Sequence, residues 1–476
     1  MVAARRRRRR ALLAAAALAA AALLALLLHP LPPPPAARTR RSTRRSRSSS
    51  SPRPPLRPPP AARDFAPAAA SWRALGGVAR IHAAAAAALN ATAPDELLER
   101  SDLADALAAL ERRLFPWFAG PVFASSANAL AAARGRGIVI TTGNRYALVA
   151  RHTIMMLRAL GSTLPVEVVH CGGDDLGDDN RAMLADLPGV SVLDMLSVVT
   201  FTFCESSWSN KPIAALVSSF REVILIDADT LFFQKPERLF DMPEYVATGT
   251  LLFRDRTLPF GKFGFWGHDI RMLVEEISGP FVDDLIFKEN RIFSKVGSEE
   301  IDSGVVVWNK ARAMPAILFT CLLNIPPFKA SARTRILGDK ETFWLAHEAT
   351  RIPFGVGPGY GSSIGSITKT PENKTCVQGA LFHADAQGRP LWFNGGIGAR
   401  QPAKELNIRK PLYWALDDSA QNIEWDLSRS PFCLVASYNG SDPATGRRIP
   451  RIGRLTPDEE SLANKMVALW VKLFQL

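Results

Sequence analysis

Val223-Ile224-Leu225-Ile226 runs directly into Asp227-Ala228-Asp229-Thr230. Four aliphatic residues ahead of two acids describe a buried strand with carboxylates at its mouth. Side chains two apart on a strand share a face, so Asp227 and Asp229 are expected to point the same way. Carboxylates in such a place are costly unless paired or metallated. Together they suit a hard divalent cation that also binds phosphate oxygens. The plainer alternative is an Asp pair capping a strand–helix turn. Further back, Thr142-Gly143-Asn144-Arg145-Tyr146 closes an apolar strand and opens a helix. Glycine there permits close backbone approach, and a helix N-terminus suits phosphate or a nucleotide; an ordinary β–α turn would look the same. Asn210-Lys211-Pro212 opens another helix, where Lys211 is a candidate contact for a diphosphate or its sugar, against a solvated surface lysine.

Two chemistries use an Asp-x-Asp at a strand mouth. In phosphatases of the haloacid-dehalogenase type the first Asp is the nucleophile of D-x-D-x-[TV] on the first strand. Here the fifth position is Leu231 and the motif comes late in the series, so both features depart from that pattern. Metal-dependent nucleotide-sugar glycosyltransferases place the motif after several nucleotide-binding units, as here.

The elements that must position these residues alternate. Strands are expected at Gly137–Thr142, Val166–His170, Val190–Leu193, Glu222–Ile226 and Ile301–Trp308. Helices are expected at Tyr146–Leu160, Asp179–Leu187, Lys211–Phe220, Lys340–Glu348 and Glu459–Phe474. Such alternation means an α/β domain with a mostly parallel twisted sheet flanked by helices. Ligands bind such sheets beyond the carboxyl ends of the strands, where Asp227 and Asp229 fall. Residues 64–134 read as a helical N-terminal region and 135–476 as the catalytic domain.

Charge is uneven along the chain. The net charge is +13, yet residues 1–63 hold fifteen Arg and no Lys, Asp or Glu, leaving the remainder at −2. A phosphate-tracking groove would keep its excess charge on the folded part, so nucleic acid is excluded as a partner. Ala11–Leu28 is an unbroken stretch of Ala and Leu behind the run Arg5–Arg10. As a helix it would span ~27 Å of a ~30 Å hydrocarbon core. We expect a cytoplasmic tail at 1–10, a transmembrane signal anchor at 11–28 and a Pro/Ser/Arg-rich stem at 29–63. A cleaved signal peptide, a transit peptide and Ala expansion are the alternatives. The five cysteines carry no C-x-x-C, which excludes zinc-finger and thioredoxin-type motifs. Sequons stand at Asn90, Asn373 and Asn439.

With these stretches in view, the sequence resembles the fungal α-1,3-mannosyltransferases of the Golgi, glycosyltransferase family 71, which have the GT-A fold. Gly137–Leu164, Lys211–Phe233, Gly297–Lys310, Gly338–Ala346 and Leu381–Gly395 carry the resemblance in the family's order. The last stretch also resembles the His-x-x-Gly-x-x-Lys-Pro-Trp ending of glycogenin-like transferases, here stretched and carrying Arg389-Pro390-Leu391-Trp392. The resemblance implies a retaining transfer of mannose from GDP-mannose to a mannose-containing protein glycan, by a covalent intermediate or by same-face attack. It implies Mn²⁺ held by Asp227, Asp229 and His383. His383 follows the apolar Gly379–Phe382, and an imidazole added to carboxylates favours Mn²⁺ over Ca²⁺. By the same resemblance Asp302 and Asp339 line the sugar site as catalytic carboxylates, with Glu299, Glu300 and Glu341 as neighbours able to share the role. Thr142 to Tyr146 and Lys211 would bind the donor. The aromatics of Lys262–His268 offer an acceptor platform. A Golgi membrane protein of single-pass type II, with a luminal catalytic domain, follows. The rivals are another donor, such as UDP-galactose, UDP-N-acetylglucosamine or UDP-xylose, and a non-catalytic glycan-binding or scaffold member.

Overall fold

The computed structural model describes residues 72–91, 97–118, 122–200, 204, 208–259, 274–277, 290–326, 328–333, 336–398, 408, 410–419 and 422–474. The expected tail, anchor and stem lie outside the described residues, as does Lys262–His268. Among the described residues no helix is long and apolar enough to cross a membrane.

The strands are β1 (Arg134–Thr141), β2 (Val166–His170), β3 (Val190–Asp194), β4 (Phe220–Ile226), β5 (Thr230–Phe232), β6 (Thr250–Arg254), β7 (Ile301–Asn309) and β8 (Gly355–Val356). They continue with β9 (Ser362–Lys369), β10 (Thr375–Ala384), β11 (Pro390–Asn394), β12 (Tyr413–Leu416), β13 (Trp425–Asp426), β14 (Cys433–Val435) and β15 (Arg451–Arg454). The helices used below are α1 (Trp72–Ala91), α2 (Leu97–Leu114), α3 (Ala147–Ala159), α4 (Asn210–Val217), α5 (Lys310–Leu323), α6 (Lys340–Thr350) and α7 (Pro457–Phe474).

Seven strands form the first sheet in the order β3-β2-β1-β4-β7-β6-β8. β1 runs parallel to β2 and β4, and β2 to β3. β7 runs antiparallel to both β4 and β6. The sheet is mixed but still mostly parallel, as expected: β7 alone among its strands runs against the rest. The reason is local: the chain returns along β4, so the first residues of β7 arrive at the mouth of β4, with Ile226 paired to Val305. A second, eight-stranded sheet joins β13-β14-β10-β9-β12-β15 to β11 and β5, antiparallel at each pairing.

Asp227 to Thr230 is the bridge between the two sheets. β4 belongs to the first and β5, starting at Thr230, pairs with β11 of the second. Thr230 N–H donates to the Asp227 carbonyl at 3.1 Å, closing a tight turn. The two carboxylates thus sit in a turn rather than on one continuing strand face, which corrects the strand-periodicity reading.

Uninterrupted apolar runs make the central strands. Ile138–Ile140, Val223–Ile226 and Val305–Trp308 are wholly buried between helical layers. α1 and α2 pack into the same core: Leu75, Val78, Leu110 and Phe115 share a cluster with Ile213, Val306 and Phe319. Cys171 is bonded to Cys204 and Cys376 to Cys433, while Cys321 is a buried thiol. The first bridge ties the end of β2 to the segment leading into α4.

Candidate active site

β1 and β4 are parallel neighbours in register, Ile140 beside Ile226, so their carboxyl ends open side by side. Thr142 follows one and Asp227 the other. The start of β7 brings Asp302 to the same edge, and Asp339 stands at the N-terminus of α6. The backbone of the Asp-Ala-Asp turn is held from three sides, and the Thr230 hydroxyl adds a fourth bond. Asp227 N–H donates to the Gly304 carbonyl at 3.0 Å, and Thr153 Oγ1 of α3 donates to the Ala228 carbonyl at 2.6 Å. Gly396 N–H donates to the Asp229 carbonyl at 3.0 Å. Thr230 Oγ1 donates to the Gly304 carbonyl at 3.1 Å.

Lys211 stands at the centre. Its ammonium lies 2.7 Å from Asp227 Oδ1 and 3.3 Å from Asp339 Oδ2. It also donates to the Ser303 carbonyl at 2.7 Å and to Ser303 Oγ at 2.9 Å. Burial alone would pull the ammonium pKa down, but Asp227 and Asp339 outweigh it and hold it above the ordinary lysine value. Asp339 moves up, first through burial and further through the charge of Asp227, against the pull of Lys211. The lysine expected at a diphosphate is thus embedded among carboxylates, 2% exposed. Its protons are shared among Asp227, Asp339 and Ser303, which it holds together.

His383 leaves β10 wholly buried, stacked on Trp392 with centroids 4.2 Å apart and edge-on to Phe253 at 5.2 Å. Its Nε2 lies 3.0 Å from Asp302 Oδ2, and Asp302 Oδ1 accepts from Gly304 N–H at 2.9 Å. A carboxylate on one ring nitrogen fixes the tautomer and orients the other. The structure therefore pairs two residues that sequence reasoning had assigned to separate roles.

Of the donor-site candidates, Thr142 is buried, and Gly143 has no room for a side chain because a Cβ would lie 2.4 Å from Asp175 Oδ1. Asn144 braces the loop: its Oδ1 accepts from Gly177 N–H at 2.8 Å and Asn180 Nδ2 at 2.9 Å. Arg145 lies over the Tyr146 ring at 5.5 Å, at the exposed rim. Glu299, Glu300 and Glu341 have partners of their own. Lys340 Nζ is 2.5 Å from Glu299 Oε2 and 2.7 Å from Asp255 Oδ2. Arg291 N–H donates to Glu300 Oε2 at 2.7 Å. Glu341 accepts from Glu300 N–H at 3.0 Å and from Trp344 Nε1, and burial pushes its carboxyl up to about 8.

Sequence reasoning missed Ser303 and Asn394. Asn394 Nδ2 donates to Asp227 Oδ2 at 3.2 Å, while its Oδ1 is buried without a hydrogen-bond partner. Gly304 makes room for it, since a Cβ there would lie 2.6 Å from Asn394 Nδ2. The available signal was position: Asn394 lies in the same stretch as His383, one residue before the glycines Gly395 and Gly396.

By charge and atom type this donor set fits a divalent cation. Asp227 and Asp339 share the Lys211 ammonium, which leaves negative charge in a largely buried place. The orphaned Asn394 oxygen beside Asp227 adds a neutral donor. Among the described residues no cluster of three or more His, Cys, Asp or Glu stands in metal-holding geometry.

The chain is similar to known mannosyltransferases. It is 29% identical to α-1,3-mannosyltransferase MNT3 of Saccharomyces cerevisiae over 56% of this chain and 47% of that protein. It is 26% identical to α-1,3-mannosyltransferase MNT2 of the same yeast, over 59% of this chain and 54% of that one. With α-1,2-mannosyltransferase MNN22 of Candida albicans it shares 28% identity over 44% of this chain and 40% of that one. The matches thus span about half the length of these relatives. Mouse xyloside xylosyltransferase 1 is similar over 47% of this chain and 85% of that one, at 13% identity and a TM-score of 0.31. The Mannosyl_trans3 family matches residues 135–385, the segment that carries β1, β4, β7, α6 and His383, and the chain belongs to this mannosyltransferase family.

Proposed function

We propose that this protein transfers mannose from GDP-mannose to a mannose hydroxyl of a protein-linked glycan, forming an α-1,3 bond with retention, in a GT-A-type site. The observation that carries the reading is the convergence of Asp227 and Asp339 on Lys211, with the Asp302–His383 pair alongside. Five elements, α4, β4, β7, α6 and β10, deliver these groups. Asp227 and Asp229, with the free ring nitrogen of His383, would hold Mn²⁺. Bound there, the metal would supply Lewis-acid stabilisation of the departing diphosphate. The chain's own residues do the rest. The turn at Thr142–Tyr146 receives the nucleotide, Lys211 fixes the spacing of the carboxylates, and Asp302 and Asp339 line the sugar site.

A luminal Golgi location suits two disulfides, which persist in oxidising compartments, and sequons whose asparagines are all exposed. Ala11–Leu28 would anchor the chain with its catalytic domain in the lumen.

A donor screen tests the function. Purified protein with Mn²⁺ and methyl α-mannopyranoside is offered GDP- and UDP-sugars, and the transferred sugar is read by mass spectrometry. GDP-mannose should be turned over at least tenfold faster than any UDP-sugar. Preference for a UDP-sugar would overturn the donor assignment.

A further inference from the structure

Trp208 is 58% exposed, an unusual state for the largest apolar side chain. It is not an isolated surface residue. It lies three positions before Lys211, whose N–H donates to the Trp208 carbonyl at 3.2 Å. Its indole runs beside Gly338: a Cβ built on that glycine would lie 3.7 Å from Trp208 Cε3. Gly338 takes φ +69°, and the residue after it is Asp339. Leu337, just before, is 46% exposed. The two segments are tied by Arg333, whose guanidinium donates to Ser209 Oγ at 3.2 Å. The Cys171–Cys204 bridge tethers the chain four residues before Trp208. An exposed indole and an exposed leucine are thus fixed at the rim of the carboxylate site.

We propose that Trp208, extended by Leu337, is the platform on which the acceptor pyranose stacks; this rests on the glycosyl-transfer reading above. A pyranose presents an apolar C–H face and a polar hydroxyl edge. A rigid aromatic face takes the first at little entropic cost, which leaves the hydroxyls for carboxylates. Asp339 is the nearest one along the chain. The nucleotide belongs at the β1 edge, whereas Trp208 lies against the turn that starts α6. This places the platform on the acceptor side of the site.

The test is a split between substrates. With GDP-mannose and methyl α-mannopyranoside, Trp208→Ala should raise the acceptor KM roughly tenfold, the scale of a lost stacking contact. The donor KM should move by less than about twofold, and Trp208→Phe should recover most of the loss. Leu337→Ala should raise the acceptor KM by roughly threefold and carries the test if Trp208→Ala fails to fold. An unchanged acceptor KM, or an equal change in the donor KM, would overturn the assignment. If the wild type transfers no sugar at all, the glycosyl-transfer reading fails. Saturation-transfer NMR with the mannoside then decides the platform: signals lost in Trp208→Ala support it, and equal signals in both proteins overturn it.

Discussion

Lys211 shows how much one buried charge can organise. Taking a single ammonium away from Asp227 and Asp339 leaves a buried and a half-buried carboxylate near each other without that counter-charge. Breaking a buried ion pair typically costs roughly 3–5 kcal/mol. Lys211→Met should therefore lower the melting temperature by several degrees as well as abolish transfer, measurable by calorimetry beside an activity assay. Asp229→Asn should behave differently. It should abolish transfer with the fold retained, because the amide keeps the size of the carboxylate and removes only its charge. A large loss of stability in Asp229→Asn would show that the carboxylate is structural. His383→Ala should raise the Mn²⁺ concentration for half-maximal activity, and excess Mn²⁺ should partly restore the rate. Unchanged Mn²⁺ dependence would remove His383 from the metal site. Asp227, Asp229 and His383 were legible because charged or titratable residues at the ends of apolar runs stand out. Ser303 and Asn394 were not. A serine and an asparagine carry no charge to mark them, and only position hinted at Asn394, until β7 and β11 bring them against Lys211 and Asp227.

At the scale of elements, the C-terminal helix reaches the site indirectly. Trp470 of α7 is buried, edge-on to His152 of α3 at 5.2 Å and stacked on Phe474 at 4.2 Å. His152 Nε2 donates to the Met466 carbonyl at 2.9 Å. Trp470 also packs over the glycine loop after β11, where a Cβ on Gly398 would lie 2.4 Å from its Nε1. Gly396 of that loop holds the Asp229 carbonyl. Trp470→Ala should cost roughly 3–5 kcal/mol of stability and raise the half-maximal Mn²⁺ concentration severalfold, with Trp470→Phe intermediate. A stability loss with unchanged Mn²⁺ dependence would confine Trp470 to packing. α7 was readable from its apolar stripe at helical spacing, and β2 and β7 from apolar runs bounded by turns. Of the second sheet only the apolar strand Gly379–Phe382, part of β10, was readable. β13 and β14 are two and three residues long, too short for any period. β9 and β10 pair through Gly365 and Gly379, where a Cβ on either would strike the other strand's backbone. Such glycines read as turn signals in a sequence.

For the whole molecule, stability should depend on pH through buried imidazoles. Burial lowers both His152 and His347 from about 6.5 to about 4. Between those values the unfolded chain takes up protons that the folded chain refuses, so stability falls as pH falls through the window. Each histidine contributes roughly 3 kcal/mol over its full range. Glu341, raised by burial, works with the opposite sign. The comparison that isolates the imidazole is therefore His152→Gln against wild type. The variant should lose less stability between pH 6.5 and 4, whatever its stability at pH 7, and parallel pH curves would contradict the assignment. The N-terminal stretch makes a second claim at this scale. Full-length protein should remain with membranes through carbonate extraction, and an N-terminus recovered near residue 30 would instead indicate a cleaved signal.

The central claim is that the edge built around Asp227 and Asp229 transfers mannose with retention. The most direct measurement is proton NMR of the product formed from GDP-mannose and methyl α-mannopyranoside with Mn²⁺, for wild type and for Asp227→Asn with Asp229→Asn. The wild type should give a new α-anomeric signal with the linkage at the 3-position, and the double variant should give none. A β-linked product, or the same product from the double variant, would contradict the claim.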